Sequence, residues 1–289
     1  MPKYFHPPHI DPIAFSFLSL DIHWYGIMYM LGFIFIFWMG NKKIKSTNSH
    51  LTNDDLSNLI GYGILGVIAG GRIGYILFYN LDYYIKNPLE ILNVQDGGMS
   101  FHGGMIGVGL MFALFSYKNK KEFLYVIDFI VPLIPFGLAL GRFGNFINGE
   151  LWGKVAVSLP WAFLFPQSRD SDISYVLTHP DLLPVLSKYN VLPRHPSQLY
   201  ELILEGVVLF LILNIAARKI KYKGQITGLF LFFYGLFRVF LENFRQPDEQ
   251  VGLFFNAISM GQLLSIPMVI IGATLFLMPQ VRNKSLKLS

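Results

Sequence analysis

An all-α polytopic membrane protein that crosses the bilayer seven times is the fold class this sequence predicts. Three observations carry that expectation. Of 289 residues, 53% are hydrophobic and 14% charged, where a soluble domain carries about a quarter charged residues. Seven stretches are long and apolar enough to span a hydrocarbon core. Basic residues recur after every second stretch, as the positive-inside rule requires of cytoplasmic ends.

The expected spans cover residues 23–40, 57–79, 101–117, 122–140, 199–217, 226–244 and 259–279. The first opens on His23-Trp24-Tyr25, an aromatic interfacial anchor, and ends before Lys42, Lys43 and Lys45. The second carries Gly66, Gly70 and Gly74, spaced by four, which predicts a smooth face for close helix packing. The third follows the run Gly97-Gly98-Met99-Ser100-Phe101-His102-Gly103-Gly104 and ends at Lys118, Lys120 and Lys121. The fourth contains Asp128 and begins after a tight basic turn. A long connection over 141–198, rich in proline and mixed in charge, reads as a small extracytoplasmic cap on a single membrane domain. The fifth span ends at Arg218, Lys219, Lys221 and Lys223, and the seventh at Arg282, Lys284 and Lys287. The opposite loops hold Asp82, Glu90 and Asp96, or Asp248 and Glu249. The N-terminus is therefore expected outside and the C-terminus in the cytoplasm. Most of the net charge of +5 is a topology signal, which removes the support for a nucleic-acid partner. The first 22 residues lack the pattern of a cleaved leader. With no cysteine in the chain, disulfides, thiolate metal sites and a cysteine nucleophile are excluded.

Ionisable groups inside spans cost a few kcal/mol each and need a partner or a task. Arg72, in Gly70-Gly71-Arg72-Ile73-Gly74-Tyr75, reads either as a snorkelling or paired helix arginine or as a lipid ligand. Tyr234, Arg238 and Glu242 are spaced by four, stacking phenol, guanidinium and carboxylate on one stripe. Arg238 and Glu242 could satisfy each other, or the guanidinium could keep donors for a phosphate. His102 lies at the outer boundary among glycines and could move a proton. In Gly141-Arg142-Phe143-Gly144-Asn145-Phe146-Ile147-Asn148-Gly149-Glu150-Leu151-Trp152-Gly153, residues Arg142, Asn145 and Asn148 share a face if the run is helical. Their donors predict an anion pocket. Before the fifth span, Arg194-His195-Pro196-Ser197-Gln198 and then Glu201 and Glu205 read as packing and capping groups behind that pocket. His195 ranks below His102 as a functional candidate. A serine nucleophile at Ser100 lacks its motif.

Taken in order, these blocks resemble the bacterial prolipoprotein diacylglyceryl transferase family. The run Gly141–Gly153 is similar to the family signature, and His23–Gly26, Gly70–Tyr75, Gly98–Gly104, Arg194–Glu201 and Phe244-Arg245-Gln246-Pro247-Asp248 extend the resemblance over nearly the whole chain. Lys154 departs from it, standing where arginine is expected; the bidentate fork is lost there. The resemblance implies a seven-helix enzyme of the bacterial inner membrane, its site toward the extracytoplasmic side. The implied reaction moves an sn-1,2-diacylglyceryl group from phosphatidylglycerol to the lipobox cysteine thiol in the signal peptide of a preprolipoprotein, the first step of lipoprotein maturation. No metal and no cofactor are implied. Tyr25, His102, Arg142, Asn145, Glu150, Gly153, Tyr234 and Arg238 match positions tied to activity or lipid binding. Arg72 and Glu242 join Arg142, Arg238, Asn145 and Gly153 as expected lipid-binding residues. A flippase or transporter of anionic phospholipid is the alternative, and would need a polar path across the whole bilayer.

Overall fold

The computed structural model describes residues 4–282, except 9, 18–19, 48, 94–97, 221, 247–252 and 255–257. Asp96, Gly97, Lys221, Pro247, Asp248, Glu249, Lys284 and Lys287 lie outside the described residues. A short antiparallel hairpin, β1 (Ile13–Phe17) and β2 (Leu20–His23), leads into the first helix. The helices are α1 (Trp24–Thr47), α2 (Asn53–Tyr79), α3 (Leu81–Lys86), α4 (Phe101–Lys118), α5 (Phe123–Ile130) and α6 (Ile134–Asn148). The cap contributes β3 (Phe163–Leu164), α7 (Arg169–Thr178), α8 (Leu183–Tyr189) and β4 (Pro193–Arg194), followed by α9 (Ser197–Glu201), α10 (Leu209–Ala216), α11 (Gln225–Leu241) and α12 (Met260–Arg282).

Five helical segments are long and apolar enough to cross a membrane: Trp24–Thr47, Asn53–Tyr79, Phe123–Asn148, Ser197–Ala216 and Met260–Met278. The chain is a multi-pass helical membrane protein. The other two expected spans fall on α4, of 18 residues, and α11, of 17. These helices carry His102 and Arg238 respectively. Large apolar side chains on the outer faces are exposed, among them Ile34 and Trp38 of α1 and Leu110 of α4. An apolar solvent accounts for such faces.

Glycine contacts set the helix spacing. The face Gly66-Gly70-Gly74 of α2 meets Gly103 and Gly107 of α4 so closely that a Cβ on Gly70 would lie 2.4 Å from the Gly103 carbonyl oxygen. Backbones this near maximise dispersion where no hydrophobic effect separates helix from lipid. The α11–α12 pair uses the same device, with a Cβ on Gly272 reaching 2.4 Å from the Phe232 nitrogen. Buried Asp128 of α5 caps the start of α11. It accepts from Gly224 N at 2.6 Å, Thr227 N at 2.8 Å and Thr227 Oγ1 at 2.5 Å. A helix N-terminus buried in a membrane needs such a partner for its free N–H groups.

The fourth span extends further than 122–140. A 3-10 turn at Val131–Leu133 joins α5 to α6, and α6 runs to Asn148, so the segment assigned to the start of the cap is helical. Gly144 lets Tyr25 of α1 pack against α6, a Cβ there lying 3.1 Å from the ring, and the helix stops at Gly149, whose φ of 65° is the left-handed C-terminal cap.

Beyond Gly149 the cap is held by a buried ion pair. Asp172 is fully buried and Arg194 nearly so. Arg194 Nε and Nη2 bind Asp172 Oδ1 at 2.8 and 2.6 Å, while Asp172 Oδ2 accepts from Ser168 Oγ and Leu192 N. Arg194 Nη1 also donates to the Gly153 carbonyl at 3.0 Å, fastening the cap to the run that follows α6. Replacing Arg194 by Ala strands a buried carboxylate, so a loss of about 3–5 kcal/mol is expected. It should appear as a lowered unfolding temperature and as protease cleavage within 149–196 under conditions that leave the wild type intact.

Candidate active site

The end of α6 brings Arg142, Asn145 and Asn148 onto one side. The two amides share one acceptor: Asn145 Nδ2 and Asn148 Nδ2 donate to Glu150 Oε1 at 3.0 and 3.2 Å. Asn145 is buried and Glu150 exposed. The donors read as open to an anion are thus spent in part on a carboxylate three-dimensionally adjacent to them. Gln198 Nε2 pins the Glu150 carbonyl at 2.6 Å, and Ser197 Oγ binds that of Leu151. Gly153 lies in an extended bridge with Arg245, its N–H donating to the His195 carbonyl. A Cβ there would lie 2.4 Å from the Phe244 carbonyl oxygen, which explains the glycine by packing. Tyr25 Oη is 3.0 Å from Tyr29 Oη, and the ring lies within electrostatic reach of Glu150 and Arg142.

Behind this surface three arginines and three glutamates form one buried network. Arg142 Nε lies 2.7 Å from Glu201 Oε2, and its Nη2 3.4 Å from Glu205 Oε2. Arg238 Nη1 faces Glu201 and Glu205 at 3.4 and 3.7 Å, and its Nη2 binds Glu242 Oε1 at 2.7 Å. Arg245 Nη1 is 3.4 Å from Glu201 Oε1, and its Nε 4.0 Å from Glu242 Oε1. Ser259 Oγ completes Glu242 at 2.9 Å. The Arg238–Glu242 pair therefore exists along the helix, yet the guanidinium also turns toward another helix. Glu201 and Glu205, expected to pack and cap, are instead direct partners of both arginines; both are 1% exposed. A π-helical turn, Leu202–Val208, follows Glu201 and holds Glu205. Wide turns of this kind occur often at functional sites.

Five buried polar atoms at this network lack a hydrogen-bond partner among the described residues: Arg238 Nη1, Glu201 Oε2, Glu205 Oε1, Tyr234 Oη and His102 Nε2. Such orphans are uncommon and call for an explanation. Tyr234 lies within electrostatic reach of Glu205, Arg238 and Arg142, and His102 within reach of Arg238 and Glu242. Phe101 links the two, stacking on Tyr234 at 5.2 Å and meeting His102 edge-on. Ser100, set aside as a nucleophile, caps α4 by accepting from Gly103 N.

Arg72 serves a neighbouring structure. Its guanidinium donates to the carbonyls of Ile91, Glu90, Asn93 and Gly98 and lies over the Tyr84 ring. It organises the loop that enters α4, up to two residues before Ser100, whose N–H binds the Gly71 carbonyl at 2.9 Å. His195 sits at the cap boundary, with Nδ1 3.3 Å from Tyr200 Oη. Burial and then the nearby Lys154 charge hold its pKa below the usual histidine value.

The family model for prolipoprotein diacylglyceryl transferase matches residues 12–278. A protein of Serratia proteamaculans, named phosphatidylglycerol–prolipoprotein diacylglyceryl transferase, is 53% identical over 282 residues, covering 98% of this chain and 97% of its own. Relatives with the same name in Erwinia tasmaniensis and Salmonella arizonae are each 54% identical, over 270 and 272 residues, covering 93% and 94% of this chain and 92% and 94% of theirs. On a match that takes in every element bearing the arginine–glutamate network, the chain belongs to the prolipoprotein diacylglyceryl transferase family.

Proposed function

We propose that this protein transfers the sn-1,2-diacylglyceryl group of phosphatidylglycerol to the cysteine thiol of a prolipoprotein lipobox, releasing glycerol phosphate. The observation that carries this reading is the buried arginine–glutamate network, beside which Arg238 Nη1, His102 Nε2 and Tyr234 Oη have no hydrogen-bond partner among the described residues. The reaction breaks a carbon–oxygen bond of a phosphodiester, and the departing phosphate gains charge. Preorganised cations stabilise such a leaving group more than they stabilise the ground state. Arg142 and Arg238 form the phosphate clamp, held by Glu201, Glu205 and Glu242. Tyr234 orients the bound headgroup. Asn145, Glu150 and Tyr25 shape its mouth, Gly153 keeps the following strand close, and Arg72 fixes the loop that aims His102. The nucleophile is the substrate's own thiol, consistent with a chain that has no cysteine.

His102 is the proposed proton acceptor. His102→Gln is expected to slow transfer by about 10²-fold. Because only the neutral imidazole accepts a proton, the wild-type rate rises with pH through the histidine titration, and the variant loses that rise. An unchanged pH profile removes His102 from the proton step.

The arrangement in the membrane follows the charge pattern. All seven expected segments cross, including α4 and α11, with the N-terminus outside, the lysine-rich ends in the cytoplasm and the site toward the outer face of the inner membrane. The reaction itself is tested with purified protein, phosphatidylglycerol and a lipobox peptide. The peptide should gain the mass of one diacylglyceryl group, and its Cys→Ser form should gain nothing. A cysteine peptide left unmodified by a folded preparation refutes the assignment.

A further inference from the structure

The network's charge inventory has a consequence for how an anionic lipid enters it. Three guanidiniums, Arg142, Arg238 and Arg245, face three carboxylates, Glu201, Glu205 and Glu242. Fully ionised, these six groups of the described residues sum to zero, a state that a site at membrane depth holds without a counter-ion from outside. A phosphodiester brings one negative charge, and nothing in this set compensates it. Either the anion stays buried as an excess charge or one carboxylate becomes neutral.

The three carboxylates are held unequally. Glu201 pairs with all three arginines, the closest contact being 2.7 Å. Glu242 binds Arg238 at 2.7 Å and accepts from Ser259 Oγ at 2.9 Å. Among the described residues Glu205 has only the longer contacts, 3.4 Å to Arg142 and 3.7 Å to Arg238, and its Oε1, like Glu201 Oε2, accepts no hydrogen bond. It is also the carboxylate a phosphate would compete with directly, since those same two guanidiniums are its partners. The groups that face it are Arg142 from α6, Glu201 from α9, Tyr234 and Arg238 from α11, and Arg245 beyond α11. Once a phosphate draws the two guanidiniums away, what remains near Glu205 is a second carboxylate, a phenol and the bound anion. All of these favour the protonated acid.

We infer that lipid headgroup binding is coupled to the uptake of one proton by Glu205, which becomes a neutral carboxylic acid as its arginines turn to the phosphate. The only bond made is the O–H of Glu205, with its proton taken from solvent: one phosphodiester anion and one proton enter, and the network stays neutral. A neutral Glu205 can donate its O–H to a phosphate oxygen or to Tyr234 Oη, so the orphaned oxygen acquires a partner in the bound state. Binding then weakens as pH rises, by about tenfold per unit wherever Glu205 is ionised in the free protein and protonated in the complex. Glu205→Gln keeps the shape, supplies the neutral form permanently and removes the coupling.

This inference rests on phosphatidylglycerol being the lipid, and the test separates the two. Delipidated full-length protein in detergent is titrated with short-chain phosphatidylglycerol in a calorimeter, using buffers of different ionisation enthalpy. The dependence of the heat on buffer counts the protons taken up. About one proton per lipid is expected in wild type and in His102→Gln, and none in Glu205→Gln, which should bind as tightly at high pH as at low. Zero uptake by wild type that binds the lipid overturns the coupling, and needs no variant to fold. Uptake retained in Glu205→Gln, or lost in His102→Gln, overturns the assignment to Glu205. Failure of folded wild type to bind phosphatidylglycerol overturns the lipid reading and this inference with it.

Discussion

Arg142→Ala and Arg238→Ala are each expected to reduce diacylglyceryl transfer by about 10³-fold or more while the protein remains in the membrane. One donor aimed at developing charge is worth about 10²–10³ in rate. Here each removal also leaves three carboxylates against two guanidiniums, so the site that must accept a phosphate becomes net negative. Arg238→Lys should recover little. A single ammonium cannot reach both Glu242, on Nη2, and the Glu201–Glu205 side, faced by Nη1. Pairing Arg142→Ala with Glu201→Gln separates catalysis from folding. That double variant restores neutrality and should recover the unfolding temperature lost by the single variant, yet it should remain inactive because the clamp is still missing. The measurements are initial rates with phosphatidylglycerol and a lipobox peptide, beside thermal unfolding in the same detergent. Near-wild-type transfer by Arg142→Ala would sink the clamp.

Arg238 is legible in the sequence, as Arg72 is, because a guanidinium inside an apolar span is costly wherever it points, and Arg142 because it shares a helical face with the amides of Asn145 and Asn148. Their partners were harder to read. Glu201 and Glu205 lie at helical spacing ahead of an ordinary apolar run, which fits capping as well as catalysis. Only the π-turn beginning at Leu202 and the packing of α6 against it bring both carboxylates to Arg142. Arg245 stands beyond α11, where no insertion cost marks it. Asn145 and Asn148 share the expected face, but their amides converge on Glu150, a contact that depends on the reversal at Gly149. The extent of α6 was misjudged for a related reason. Glycine is a poor helix former in isolation, whereas in a membrane it permits close packing, and Gly144 against Tyr25 is a packing glycine. Arg72 has two readings in the sequence, and its bonds to four carbonyls tie it to the loop that enters α4.

The same reasoning about glycine gives the second large effect, on a single helix with its own control. In α4 a Cβ on Gly107 would lie 2.3 Å from the Gly66 carbonyl oxygen and 2.7 Å from the Gly70 Cα, whereas one on Gly109 would meet nothing within 4 Å. Both residues are helical, so the propensity gain on becoming alanine is the same for each, up to about 1 kcal/mol. The difference between the variants is therefore the packing term alone. Gly107→Ala drives a methyl into backbone, which no rotamer change can relieve, so α2 and α4 must separate. A loss of about 3 kcal/mol or more is expected, at the upper end of overpacking costs. Gly109→Ala should unfold at or slightly above the wild-type temperature. Separation of α2 from α4 also breaks the Ser100 N–H to Gly71 carbonyl bond that seats the start of α4, and His102 lies two residues on. Gly107→Ala should accordingly lose transfer activity at temperatures where it is still folded, with Gly109→Ala fully active. Equal unfolding temperatures for the two variants would mean that the helices are not in backbone contact at Gly107, and the placement of His102 against Arg238 and Glu242 would lose its foundation with them.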